Sequence, residues 1–182
     1  MSNPQSLLVL VGSPRRSGNS AALAAAVQRG TEQAGTRVAL RFIDDHISSF
    51  LRDCRTCRRA DGECAIGDGY RTLFFDDFLP AGVIERMSRK RIALVLASEE
   101  TYPGASLGIV HQIQEYSRYT HSEFVGVVRG VGNSRSEVVR DPGEPLLAAE
   151  QLGREMFTRR YSDFRLDTQR SGRVWPQEDV QS

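Results

Sequence analysis

Residues 12–20, Gly-Ser-Pro-Arg-Arg-Ser-Gly-Asn-Ser, decide how this chain folds. They follow an apolar run, residues 7–11 (LLVLV), and precede an alanine-rich segment that starts near Ala21. An apolar strand, a polar loop and then a helix leave free backbone N–H groups at the helix start. Such a loop suits an anion, phosphate above all. Ser13, Ser17, Asn19 and Ser20 add side-chain donors, and Arg15 and Arg16 add charge. The helix dipole is worth about 0.3–1 kcal/mol. A hydrogen bond to a charged group is worth about 1.5–3 kcal/mol. Several donors converging on one phosphate therefore outweigh the dipole. A plainer role is also open, in which Ser17 or Asn19 only caps the helix. Capping needs one such residue, and this loop holds four.

The same stretch excludes neighbouring motifs. No Gly-Lys-Ser/Thr follows its glycines, so it is not a Walker loop, and G-x-G-x-x-G is absent. It carries no cysteine, which removes a cysteine-phosphatase reading for want of a nucleophile.

Outward from the loop, strands and helices alternate. Residues 7–11 read as a central parallel strand covered on both faces. Residues 19–33 predict a helix, with Gly35 as its stop. Residues 37–43 (RVALRFI) alternate, placing Val38, Leu40 and Phe42 on one face of a half-buried strand. Residues 44–68 are polar and hold Cys54, Cys57 and Cys64. Residues 70–79 predict a helix ended by Pro80. Residues 91–97 (RIALVLA) predict a second buried strand, 105–119 an amphipathic helix, 123–128 the last strand and 145–160 the last helix. This alternation predicts a parallel sheet with helices on both faces. Ligands of such sheets sit beyond the carboxyl ends of the strands. The loops at that rim are 12–20, 44–68, 98–104 and 129–140.

Composition sets the outer bounds. A chain of 182 residues is enough for one well-buried domain. Its net charge of +1 makes no electrostatic case for nucleic acid or an acidic membrane. The apolar runs are too short to span a bilayer, and no signal peptide is read. Three cysteines cannot all pair within one chain, which suggests a reducing cytoplasm. Their C-x2-C-x6-C spacing lacks the fourth thiol of an iron–sulfur or zinc site, so no metal is expected. His46, His111 and His121 read as surface or capping residues.

With loop and alternation together, the chain resembles the flavodoxin-like NADPH-dependent FMN reductases. That family opens with a strand and a G-S-P-R-x-x-G-N-[ST] loop, matched by Gly12, Ser13, Pro14, Arg15, Gly18, Asn19 and Ser20. The similarity runs from residue 5 to about 160. It implies a flavodoxin-like three-layer α/β/α sandwich over residues 1–161, with 162–182 as a tail or dimer arm. It implies FMN with its phosphate on Ser13, Arg15, Ser17, Gly18, Asn19 and Ser20. Glu99, Glu100, Thr101 and Tyr102 are either contacts for the flavin edge or ribityl hydroxyls, with Tyr102 able to stack, or a solvated loop with a helix cap before Ala105. NAD(P)H would be the hydride donor and a quinone, metal ion or other small molecule the acceptor. No catalytic side chain is required, because the flavin supplies the chemistry. A homo-oligomer is expected, since a shortened sheet would expose an apolar edge that invites pairing with another chain.

The chain departs from that family in its middle. Residues 80–90 are too few for a strand plus a parallel crossover, which takes at least about 10–12 residues. The family's Pro-x-Tyr-type loop against the flavin ring has no counterpart there. The expected sheet therefore has four or five strands. The alternative function is a non-catalytic module that binds a phosphate or flavin nucleotide.

Overall fold

The computed structural model describes residues 5–49, 65–69, 72–73 and 90–159. Strand β1 (Ser6–Val11) leads through the Gly/Ser loop into helix α1 (Asn19–Gln33), and β2 (Arg37–Phe42) returns beside β1. Their pairing is parallel, with Ser6 opposite Arg37 and Val11 opposite Phe42. A short 3-10 turn (Ile43–Asp45) closes this unit. Strand β3 (Arg91–Ser98), a 3-10 turn (Pro103–Ser106), helix α2 (Leu107–Tyr119), strand β4 (Glu123–Val131), another 3-10 turn (Glu137–Arg140) and helix α3 (Pro145–Arg154) complete the order. β3 and β4 are also parallel, with a bulge after Ile92 that adds Val125 to β4.

The helices divide between two faces. α1 and α3 cover one face, where Val9, Val11, Leu23, Val27, Val128, Val138, Ala149 and Leu152 form the main core. Val38, Leu40 and Phe42 of β2 and Ala93, Val95 and Ala97 of β3 pack onto it, as period-two alternation demands. α2 covers the opposite face of β3 and β4 through Leu96, Val110 and Phe124. This is the layered α/β arrangement that the alternation predicts.

Four boundaries or environments differ from the sequence expectation. β4 continues three residues beyond Val128, because Arg129, Gly130 and Val131 stay in register with Leu96, Ala97 and Ser98. α3 ends at Arg154 rather than near 160, and the chain tightens there, with Met156 N–H donating to the Gly153 carbonyl. The segment after β3 begins as a 3-10 turn, because Pro103 opens it and Ala105 N–H bonds back to Tyr102. β1 is not covered on both faces: Val9 and Val11 are buried, but Leu10 is 45% exposed.

Among the described residues the strands form two parallel pairs, β1–β2 and β3–β4. Between β1 and β3 lies an apolar cleft of about 490 Å3, bordered by Leu8, Leu10, Ile92, Leu94, Ile113 and Tyr116. Burial pushes the Tyr116 phenol above its ordinary pKa. All of the expected helix 70–79 but residues 72–73, the three cysteines and the tail from 162 lie outside the described residues, as does nearly all of 80–90. No described helix is long and apolar enough to cross a membrane.

The seam between α1 and α3 is unusually close. A Cβ on Gly30 would strike the Glu150 carbonyl, and one on Gly153 would strike the Val27 carbonyl. Two glycines thus let two backbones touch. Buried Thr31 bridges them, with Oγ1 lying 2.9 Å from the Val27 carbonyl and 3.1 Å from that of Gly153. Outside the seam, Arg154 bonds Gln33 at 2.6 Å and Glu150 at 3.2 Å.

Candidate functional site

The carboxyl ends of β1, β3 and β4 face a common polar cleft of about 300 Å3. Its walls are Ser13, Arg15, Gly18, Asn19 and Ser20 from the first loop. Ala97, Ser98 and Glu99 come from the end of β3, and Gly132, Asn133, Ser134 and Arg135 from the loop after β4. The position is the one that an open parallel sheet gives its ligands.

The first wall is a helix start left open. Gly18 precedes α1 in extended conformation (φ −84°, ψ 170°), and no side chain caps the helix. The capping role open to Ser17 or Asn19 is therefore not taken up. The loop holds its own shape, with Gly18 N–H donating to the Arg15 carbonyl at 3.1 Å and Arg15 N–H to Ser13 Oγ at 3.3 Å. The two arginines separate. Arg16 turns outward, pairs with Asp45 at 2.5 Å and lies 3.9 Å from the centre of the Phe42 ring. Arg15 stays on the cleft wall.

Asn19 lines the cleft and also ties two loops together. Its Nδ2 donates to the Gly132 carbonyl at 2.9 Å, and its Oδ1 accepts from Val138 N–H at 3.2 Å. The side chain ties the start of α1 to the loop after β4. A side chain at position 132 would collide with it, since a Cβ on Gly132 would lie 2.8 Å from Asn19 Nδ2. Ser17 contributes through its backbone: its carbonyl accepts from Ser136 Oγ at 3.1 Å, and it is not among the lining residues.

The loop after β4 is fixed along its length. Gly132 N–H donates to the Ser98 carbonyl at 2.9 Å. Asn133 and Ser134 N–H both donate to Glu137 Oε2 at 2.7 Å. Ser136 adopts the left-handed region (φ 59°, ψ 13°), which turns the chain into the following 3-10 turn. The bonds from Ser134 and Asn133 hold the Glu137 carboxyl below the usual glutamate range. That charge is already spent on the loop's own amides. The donors that remain on the cleft wall are Arg15, Arg135, the serines and the start of α1.

The middle wall comes from the start of the loop after β3. Glu99 and Ser98 line the cleft, whereas Glu100, Thr101 and Tyr102 do not. Arg129, on β4, holds that stretch by donating to the carbonyls of Glu100 (2.5 Å) and Tyr102 (3.2 Å). Tyr102 lays its ring against Gly104 and remains 70% exposed. Glu99 is the one acid among the described lining residues, so an anion is favoured on the side of Arg15 and Arg135. A carboxylate at that end suits the hydroxyls of a polyol.

Of the expected residues, the structure brings Ser13, Arg15, Gly18, Asn19 and Ser20 together. It leaves Ser17, Glu100, Thr101 and Tyr102 outside. Gly132, Asn133, Ser134 and Arg135 were missed individually, although their loop was expected at the rim. A signal existed: Gly-Asn-Ser occurs at 18–20 and again at 132–134, and both copies line the cleft. No cluster of metal-ligating side chains occurs among the described residues.

Comparison with known proteins gives a likeness of fold. No family model matches the chain, and no curated protein does. Among solved structures it is similar to the Trp repressor binding protein from Bacillus subtilis. The identity is 16% and the TM-score 0.50, over 84% of this chain and 99% of that one. The chain has a flavodoxin-like α/β fold.

Proposed function

We propose that the cleft binds flavin mononucleotide through its phosphate, and that the protein is an NAD(P)H-dependent oxidoreductase with a small-molecule acceptor. The observation that carries this reading is the uncapped start of α1 opening into a polar cleft beside Ser13, Arg15, Ser20 and Arg135. The donor set fits a phosphomonoester. Backbone N–H groups at a helix start, hydroxyls and guanidinium groups are the groups that hold phosphate. Glu99 would accept from ribityl hydroxyls. Bound flavin would supply the hydride chemistry; the chain's own part is to hold and orient it. The proposal extends to self-association in solution.

A second reading has its own support. No aromatic side chain lines the cleft among the described residues. A module that holds FMN without oxidising NADPH would need the phosphate wall alone.

A visible spectrum of the purified protein, with FMN added, tests both. Flavin absorbance that bleaches with NADPH in the absence of oxygen is the result expected of the reductase. FMN that binds but does not bleach supports the second reading. Failure to quench FMN fluorescence at any protein concentration refutes both.

A further inference from the structure

Two arginines line the cleft from opposite loops, Arg15 after β1 and Arg135 after β4. The other nearby arginines are engaged: Arg16 by Asp45, and Arg129 by the carbonyls of Glu100 and Tyr102. Arg15 and Arg135 make no side-chain hydrogen bond or ion pair with any described residue. Arg135 is also flanked by anchored neighbours. Ser134 N–H is bonded to Glu137 and Ser136 Oγ to the Ser17 carbonyl. The backbone at 135 is thus held by its neighbours, while its side chain has no ion pair or hydrogen bond with a described residue.

We propose that Arg135 is a second phosphate-binding residue, closing with Arg15 on the terminal phosphomonoester of the flavin, and that Glu137 is the positioning residue that sets it there. This rests on the flavin nucleotide reading above and adds the ligand form that the cleft selects. A phosphomonoester carries about −1.5 to −2 charge near neutral pH. Two guanidinium groups match that charge, and one does not. A flavin lacking the phosphate gains nothing from either arginine. The cleft therefore discriminates phosphorylated from unphosphorylated flavin, and Arg135 supplies part of that discrimination.

The test titrates wild type, Arg15→Gln, Arg135→Gln, Arg135→Lys and Glu137→Gln with FMN and with riboflavin, read by flavin fluorescence. Arg135→Gln is expected to weaken FMN binding about 10- to 100-fold, the loss of one charged hydrogen-bond partner, and to leave riboflavin within about twofold. Arg135→Lys should recover part of the loss, because charge returns without the planar fork. Glu137→Gln should weaken FMN in the same phosphate-dependent way, and inorganic phosphate should compete with FMN less well in Arg135→Gln and Glu137→Gln. Unchanged FMN affinity in Arg135→Gln overturns the proposal, and so does an equal loss for riboflavin. If Arg15→Gln alone weakens FMN, the flavin nucleotide reading stands and only the role of Arg135 falls. If wild type binds FMN no better than riboflavin, both fall.

Discussion

Asn19 shows how one side chain on a cleft wall can carry a structural task that the sequence does not display. A phosphate-type loop followed by a helix makes its amide look like a ligand donor. Both amide atoms instead face backbone groups of the β4 loop, at Gly132 and Val138. Nothing local in the sequence distinguishes these uses, because the partner lies more than a hundred positions away in the chain. Asn19→Ala is expected to cost about 1–3 kcal/mol, since it strips partly buried backbone groups of partners. Urea denaturation would measure this, and a change below a few tenths would contradict the bridging role. Glu137 carries a pH signature. Its pKa is lowered in the folded state by the bonds from Ser134 and Asn133. Its contribution is therefore fully present above the unfolded glutamate value, about 4.3. It is lost as pH falls through the lower folded value. Amide chemical shifts of Asn133 and Ser134 should move together with a midpoint below the ordinary glutamate range, and Glu137→Gln should abolish that step.

Elements were more legible than residues. Continuous apolar runs located β1 and β3, alternation located β2, and Pro145 at the first helical position marked the start of α3. The ends were less so, because they are set by partners. β4 runs to Val131 because β3 offers a register partner, not because Arg129 and Gly130 favour strand. The contact between α1 and α3 was hidden for the same reason. Alanines in α1 suggested close packing, but a glycine matters here only through its opposite number. Gly153→Ala should destabilise by about 2 kcal/mol or more, since the new methyl would press on the Val27 carbonyl. Thr31→Val should cost about 1 kcal/mol through the lost bridge. Thermal melts of the two variants would rank them in that order, and a neutral Gly153→Ala would mean that the helices can separate at little cost.

For the whole molecule, alternation alone was enough to anticipate the layered fold and the rim where the cleft lies. It could not divide the cleft's wall among the loops. That division follows from which carbonyls Arg129 reaches and which amides Glu137 binds, and both are tertiary facts. The expectation of a shortened middle segment rests on residues outside those described. β1 and β3 nonetheless border a common apolar cleft and are not laddered to each other among the described residues.

The glycine seam has a bearing on motion. α1 starts at one loop of the cleft and α3 follows the other, so parting the helices would disturb both walls at once. Local breathing cannot loosen one wall alone. The amide protons of α1 and α3 beside Thr31 and Gly153 should therefore be among the last in the chain to trade with deuterium, and should do so at one shared rate.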